Sequence, residues 1–170
     1  MEELGRKTPA EFHNSAKFPL VLVLDNVRSM MNIGSVFRTA DAFLVESILL
    51  CGITATPPHR EIQKTALGAT ESVNWMYFEK TTEAVQFLHE KGYQVFALEQ
   101  AQGSIDLKSF APQKNQAYAL VFGNEVKGVE EEVLKMCDGC IEIPQFGTKH
   151  SLNVAVTAGI VVWDLYSKLG

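Results

Sequence analysis

The sequence predicts an α/β fold with a mostly parallel sheet that helices cover on both faces. Short aliphatic runs alternate with amphipathic stretches from about residue 18 onward, and this order favours parallel strands joined by right-handed helical crossovers. Hydrophobic residues make up 46% of the 170 residues and charged residues 21%, which is ordinary usage for a globular domain. Neither a repeat nor a long linker divides the chain, so we expect one domain.

Six strands are predicted at short runs that are rich in aliphatic residues and bounded by breakers. These runs are residues 20–25, 47–52, 75–78, 94–99, 118–123 and 140–144. Their near-continuous aliphatic character is typical of strands that are buried on both faces. Most of them should therefore lie inside the sheet and not at its edges.

Helical spacing of apolar residues predicts helices at residues 34–44, 82–91 and 130–137. The second ends on Lys91 followed by Gly92, a basic last turn with a glycine stop. Residues 1–17 are polar and weakly patterned, and we interpret them as a tail or short helix outside the domain formed by residues 18–170. Residues 153–169 are apolar almost all round, which predicts a buried helix or a subunit contact.

Composition excludes several classes of protein. Fifteen basic and 20 acidic residues give a net charge of −5, which argues against a protein that coats nucleic acid but allows a local basic site. Three cysteines are an odd count for a disulfide framework, so reduced thiols are expected. The aliphatic run at residues 20–24 is too short to span a bilayer, which takes about 20 residues. No signal peptide pattern opens the sequence, and we expect a cytoplasmic protein.

Ligands of α/β sheets bind at the carboxyl ends of strands, so the loops there are candidate sites. The first is residues 25–38. Asn32 in this loop has two interpretations, a helix N-cap or a functional amide. Arg38 either pairs with Asp41 or offers its planar fork to phosphate oxygens. Gly34 would let a ligand approach the backbone. The functional interpretation predicts a nucleotide chain as substrate.

The second loop, residues 123–128, contains two glycines but is not a P-loop, because Val129 stands where that motif requires lysine. A simple glycine turn would leave Glu125 unexplained. In the third loop, residues 143–153, Ser151 has the alternative of a helix N-cap. Asn153 opens a very apolar helix, where a buried amide needs hydrogen-bond partners from a ligand or a neighbouring loop.

Cys137 and Cys140 have the C-x-x-C spacing, but a second pair is missing from the sequence. This argues against a closed zinc site, and we expect no metal. A redox pair stays open as an alternative to structural thiols.

Together the three loops resemble the TrmH (SpoU) family of the SPOUT class, which are RNA ribose 2′-O-methyltransferases that use S-adenosylmethionine. The resemblance covers about residues 20–166. It is carried by NIGSVFRTADAF at residues 32–43, FGNEVKGV at residues 122–129 and SLNV at residues 151–154. It implies a homodimer whose sheet ends in a deep trefoil knot, with the cofactor bent inside the knot. It also implies an RNA substrate, with a D-loop guanosine of tRNA first and rRNA second.

The resemblance further implies the site residues. The functional positions are Arg38, Asn32, Glu125, Ser151 and Asn153. The cofactor would be held by Leu98, Gly123, Asn124, Ile143, Pro144 and Leu152. RNA would meet local positive charges at Arg28, Arg60, Lys64, Lys127, Lys149 and His150.

Arg38 is expected to face a cleft made by the two glycine-bearing loops. A guanidinium with a pKa above about 12 is a poor base, so we assign it as a phosphate clamp that orients the ribose hydroxyl, with Asn32 assisting. Glu125 is expected to brace the second loop against the third. The alternative from another class is a catalytically silent RNA-binding or cofactor-sensing module.

Overall fold

A computed structural model of the chain describes residue 5, residues 7–149 and residues 151–170. Its strands are β1 (Phe18–Asp25), β2 (Val45–Cys51), β3 (Asn74–Phe78), β4 (Gln94–Leu98), β5 (Ile105–Asp106), β6 (Tyr118–Phe122) and β7 (Gly139–Glu142). They form one sheet in the order β3-β2-β1-β6-β4-β7-β5, and every pairing between them is parallel. The six predicted strands and the α/β class are confirmed. The strand order is consistent with the expected knot, whose threading stays a prediction.

The helices are α1 (Pro9–Asn14), α2 (Met30–Ala42), α3 (Arg60–Ala66), α4 (Ala69–Ser72), α5 (Thr81–Glu90), α6 (Glu131–Met136) and α7 (Val154–Leu169). The start of α2 differs from the prediction because the Ser29 hydroxyl accepts from the Asn32 backbone N–H at 3.2 Å and caps the helix one turn earlier. Asn32 therefore lies inside α2, and its interpretation as the N-cap is wrong.

Side chains of β1 alternate between two cores, as a sheet covered on both faces requires. Leu22 and Leu24 pack in the core that holds α2, α3 and α7, while Val21 and Val23 pack in the core that holds α5 and α6. The central strands are thus held rigidly, and the loops at their carboxyl ends start from fixed positions.

Gly34 is needed for helix packing. A Cβ at this position would lie 2.1 Å from Thr65 Oγ1 and 2.2 Å from the Ile62 carbonyl oxygen, so α3 packs directly on the α2 backbone. The Thr65 hydroxyl donates to the Met31 carbonyl at 2.8 Å and holds this contact. The expectation that Gly34 gives a ligand access to the backbone is therefore wrong.

Helix α7 has one buried and one exposed face. Its residues Ala158, Val162 and Leu165 are fully buried in the core. The opposite face carries an exposed apolar stripe: Val156, Ile160, Trp163 and Tyr166, with 39–59% of each residue's surface exposed. The burial expected from the sequence is confirmed for one face of α7 only. The subunit contact expected for this helix stays a prediction. Within the described residues, no helix is long and apolar enough to cross a membrane.

Helices α2 and α7 run side by side in the same direction. At their beginnings Asn153 Nδ2 donates to Asn32 Oδ1 at 3.1 Å. Near their ends the ring of Phe43, which follows α2, lies 5.9 Å from the ring of Trp163. The two helices therefore lead away together from the loops at the carboxyl ends of the strands.

Candidate active site

A cavity of about 320 Å³ lies at the carboxyl ends of β4, β6 and β7, within the range of small-molecule sites. Five of the six predicted cofactor residues line it: Leu98, Gly123, Asn124, Ile143 and Leu152. Pro144 does not line it, although its neighbours Ile143 and Gln145 do. The assignment of Pro144 to the cofactor therefore stays a prediction.

The cavity is acidic and partly apolar. Glu99, Glu125 and Glu142 line it, and none of the described residues that line it is lysine or arginine. Its apolar walls come from Leu98, Phe122, Ile141, Ile143, Leu152 and Val154. This chemistry suits a ligand that carries positive charge and a flat apolar ring, and it disfavours a polyphosphate.

Two glycines allow the second loop to close beside the cavity. A Cβ at Gly123 would lie 2.2 Å from the Gly128 carbonyl carbon and 2.3 Å from the Val129 nitrogen. Gly128 itself has a φ of +70°, and a Cβ there would meet Glu99 Oε2 at 2.3 Å. The loop is tied by two backbone hydrogen bonds between Asn124 and Gly128, at 2.9 and 3.0 Å. These glycines therefore serve loop closure and not phosphate binding.

The Asn124 side chain is used to build this loop. Its Oδ1 accepts from the backbone N–H groups of Val126 and Lys127 at 2.9 and 3.0 Å. Its Nδ2 donates to the Asn26 carbonyl at 2.7 Å. Asn124 thus fixes the second loop to the first, and its place in the cavity wall follows from that role.

Glu125 braces the second loop against the first. Its two carboxylate oxygens accept from the backbone N–H groups of Arg28 and Ser29, at 3.0 and 2.9 Å. The expectation that Glu125 braces the second loop against the third is therefore wrong, because its hydrogen-bond partners lie in the first loop. Burial would raise the pKa of Glu125, but hydrogen bonds from these N–H groups and from the Asn32 side chain lower it overall.

Asn32 links the third loop to the other two. Besides approaching Glu125, its Oδ1 accepts from Asn153 Nδ2. Asn153 Oδ1 accepts in turn from the Ala155 and Val156 N–H groups at 2.8 and 3.3 Å and caps α7. Asn153 is exposed, so the expectation of a buried amide is wrong, and the interpretation of Ser151 as the N-cap is wrong as well. Ser151 instead lines the cavity.

We expect Glu125→Gln to lower Tm by about 2–4 °C near neutral pH, as a loss of about 1 kcal/mol would in a chain of this size. The amide replaces one of two charged acceptors with a donor, so one N–H loses its partner. Because the folded pKa is lowered, the stabilisation is present above the ordinary value of 4.5 and is lost as pH falls through the lowered pKa. The difference in Tm should therefore shrink on acidification.

Calorimetric unfolding at several pH values measures this, with Glu79→Gln in the exposed loop after β3 as the matched control. The control should keep the Tm of the unsubstituted protein. Equal Tm values of the two variants at every pH would show that the brace does not stabilise the fold.

Arg38 lies away from the cavity. It is exposed and lines a second concave surface of about 480 Å³. We call this surface the α2–α3 groove, and its polar lining consists of Ser35, Arg38, Thr39, Lys64 and Thr65. The expected cleft that combines Arg38 with both glycine loops is therefore wrong for a single chain, since α2 carries this side chain beyond the cavity.

The structural alternative for Arg38 is wrong too. Asp41 accepts from the Ser72 hydroxyl, and within residues 7–149 and 151–170 Arg38 forms no ion pair with it. The guanidinium thus stays available to a partner from outside the chain.

The predicted RNA contacts are exposed but stay predictions. Arg28, Arg60, Lys64, Lys127 and Lys149 are all exposed, and His150 lies outside the described residues. None of the five described side chains lines the cavity, and Lys64 lines the α2–α3 groove.

Sequence reasoning missed the buried carboxylate that supports the first two loops. Asp25 ends β1 fully buried and accepts from the Thr81 hydroxyl, from Asn26 Nδ2 and from the Glu130 backbone N–H. It also missed Glu99, whose Oε2 accepts from the Val129 N–H at 3.1 Å. Each lies at or just after the end of a predicted strand, and that position was the available signal.

The two cysteines of the C-x-x-C segment are protonated thiols. Burial raises the pKa of Cys137 to about 12, and it also raises the pKa of Cys140. A thiol in this form is a weak nucleophile, which disfavours the redox alternative. Among the residues that the structure describes, no group of three or more His, Cys, Asp or Glu side chains is placed to hold a metal ion.

Known proteins match most of this chain. The putative TrmH family tRNA/rRNA methyltransferase of Staphylococcus haemolyticus (strain JCSC1435) is 30% identical over 148 residues, which cover 87% of this chain and 58% of that protein. The 23S rRNA (guanosine-2′-O-)-methyltransferase RlmB of Neisseria meningitidis serogroup B is 31% identical over 149 residues, which cover 88% and 58%. The chain thus spans a little over half the length of these curated relatives.

Solved structures give the same result. The AdoMet-bound rRNA methyltransferase from Sinorhizobium meliloti superposes with a TM-score of 0.83 at 28% identity, over 96% of this chain and 62% of that one. A structure described as "Structural insights into the 2-OH methylation of C/U34 on tRNA" superposes with a TM-score of 0.78 at 28% identity, over 89% and 98%. The model of the SpoU rRNA Methylase family matches residues 19–163. The chain therefore belongs to the SpoU rRNA methylase family.

Proposed function

We propose that this protein transfers a methyl group from S-adenosylmethionine to a ribose 2′-hydroxyl of RNA. The observation that carries the proposal is the cavity at the carboxyl ends of β4, β6 and β7, where three acidic residues meet apolar walls and the described lining contains no lysine or arginine. S-adenosylmethionine has a sulfonium and an ammonium for the carboxylates and an adenine ring for the apolar walls. The family membership and the AdoMet-bound neighbour support the same ligand.

When bound, the cofactor would supply a methyl group on a sulfonium: the oxygen–carbon bond would form as the carbon–sulfur bond breaks, a neutral thioether would leave, and the hydroxyl proton would pass to water. The chain's own task is to hold the reactants in line, which contributes about 7–11 kcal/mol in well-oriented systems. Three contacts connect the loops of the cavity: Glu125 accepts from the Ser29 N–H, the Ser29 hydroxyl accepts from the Asn32 N–H, and the Asn32 side chain accepts from Asn153. Arg38 would clamp the phosphate beside the target ribose and stabilise the emerging oxyanion.

Arg38 reaches such a ribose if a second copy of the chain completes the site. It lies six residues after Asn32 on α2, which is about 9 Å along the helix axis away from the cavity. A two-fold dimer that pairs the exposed α7 stripe with itself, with its axis across the helices, would run the two α7 helices antiparallel. This is the arrangement we propose, because the far end of each α2–α7 pair would then approach the partner's cavity and Arg38 could reach it. The exposed Ile160 and Trp163 on this stripe support the homodimer.

Transfer RNA is the first substrate to test. The structure described for C/U34 of tRNA is spanned almost completely by this chain, and this similarity favours position 34 over the D-loop guanosine expected from the sequence. Ribosomal RNA is the second substrate class, in keeping with the curated relatives. The cytoplasmic location expected from the sequence belongs to the same proposal.

The test combines cofactor binding with product mapping. Calorimetry should show binding of S-adenosylmethionine, and labelled methyl should enter tRNA from cells that lack the gene, at a ribose oxygen found by mapping. Binding without transfer to any cellular RNA would favour the silent module. Absence of binding would contradict the assignment of the cavity.

A further inference from the structure

The α2–α3 groove has the chemistry of a site for phosphate oxygens. Arg38 and Lys64 both line it, and none of its described lining residues is acidic. The cavity beside the loops has the opposite character, with three acidic residues and no lysine or arginine in its described lining. By charge, a cationic cofactor would bind in the acidic cavity and a nucleic-acid backbone in the basic groove.

The hydroxyls of the groove show which donors remain for a ligand. Ser35 and Thr65 both donate to the Met31 carbonyl, at 3.0 and 2.8 Å. Thr39 donates no side-chain hydrogen bond within the described part of the chain. The groove therefore offers a ligand Arg38, Lys64 and the Thr39 hydroxyl.

The position of Lys64 relative to Arg38 is fixed by helix packing. The missing side chain of Gly34 lets α3 lie against α2, and the bond from Thr65 to Met31 sets the register of the two helices. Lys64 precedes Thr65 on α3, so its Cα is held at a defined place across the groove. Only the flexible end of the side chain has to adjust when a ligand binds.

Lys64 is available to such a ligand although it has a partner. Its Nζ lies 2.8 Å from Glu61 Oε1 on the same helix, and both side chains are nearly half exposed. An exposed pair of this kind contributes little, typically up to about 1 kcal/mol. A phosphodiester can therefore compete for the ammonium.

We propose that Lys64 binds a backbone phosphate of the substrate RNA next to the phosphate that Arg38 holds, so that the α2–α3 groove fixes the strand on either side of the reacting nucleotide. The bidentate guanidinium of Arg38 would orient its phosphate, and the point charge of Lys64 would add affinity for the strand. The inference rests on the proposed RNA methyl transfer. It goes beyond the expected RNA contact at Lys64 by assigning this residue the phosphate next to the one that Arg38 holds.

The test compares Lys64→Gln with Lys135→Gln in the full chain. Lys135 is a matched control, because it also pairs with a glutamate on its own helix at 2.8 Å and lies outside the groove. RNA affinity is measured over a range of salt concentrations with unmodified tRNA. Loss of one phosphate contact should lower the steepness of log K against log salt by about 0.7–0.9, which corresponds to about five- to eightfold weaker binding at 0.1 M salt.

Lys64→Arg should keep most of the affinity, and in turnover the KM for RNA of Lys64→Gln should rise more than kcat falls. The proposal is overturned if Lys64→Gln and Lys135→Gln have the same salt slope and the same KM. Affinity for RNA is measured without turnover, so this outcome differs from a failure of the proposed function. If the proposed function fails, the unsubstituted protein itself binds no S-adenosylmethionine or transfers no methyl group.

Discussion

Replacing Arg38 with lysine should lower kcat for methyl transfer by about 10²–10³-fold, the range for removing one donor to a developing oxyanion. Lysine keeps the charge but lacks the planar fork that can hold a phosphate and a ribose hydroxyl in one orientation. Binding of S-adenosylmethionine should stay unchanged, because Arg38 is assigned to the RNA phosphate and lines a groove apart from the cavity of its own chain. The effect therefore belongs to the RNA side of the site.

Single-turnover methyl transfer and calorimetry on the same preparations separate these two effects. Lys135→Arg on α6 is the matched control, an exchange between the same two residue types at an exposed site outside both concave surfaces. A large loss of cofactor affinity in Arg38→Lys would place the guanidinium in the cofactor site. Unchanged turnover would remove Arg38 from the mechanism.

If the proposed homodimer forms through the α7 stripe, Trp163→Glu should separate its two copies and abolish methyl transfer. Trp163 is 59% exposed at the middle of the apolar stripe, and its ring packs against Phe43 and Tyr166. Loss of a buried tryptophan anchor typically costs 2 kcal/mol or more at an interface, so the dimer Kd should rise at least about 30-fold. A monomer would keep its cavity but would lack the partner's Arg38.

Analytical ultracentrifugation over a concentration range measures the oligomeric state. Met76→Glu is the control, because Met76 is a similarly exposed apolar residue on the edge strand β3. The control should stay dimeric and active, and both variants should bind S-adenosylmethionine. A dimeric Trp163 variant, or an active monomer, would contradict the proposed role of the stripe.

The pattern of the sequence was enough for the sheet. Buried parallel strands such as β1 and β6 are continuous aliphatic runs, and this signal does not depend on the rest of the fold. The short elements were missed for the opposite reason. β5 has two residues and α4 has four, which is too few for any periodicity to appear, and these elements are held in place by their neighbours.

Site residues were predictable from the sequence where their position directly after a strand was enough to place them. Leu98, Gly123 and Ile143 follow strands, so the strand ends place them at the cavity. The partner of Glu125 and the role of Gly34 were not predictable, because each depends on which loop or helix lies opposite in three dimensions. The sequence also carries no information about which copy of the chain supplies Arg38.

Mixing two inactive variants tests most directly whether the site is shared between copies. Arg38→Lys removes the clamp, and Gly123→Ala disturbs the cavity, since its Cβ would lie 2.2 Å from the Gly128 carbonyl carbon. Each variant alone should be inactive, with dimer formation and Tm checked for both.

If they are co-expressed in equal amounts, half of the dimers are mixed, and each mixed dimer has one site with an intact cavity and an intact partner arginine. Methyl transfer should then recover to about one quarter of the unsubstituted level, by random pairing in a two-fold dimer. No recovery, with mixed dimers shown to be present, would contradict a site completed by the partner's arginine.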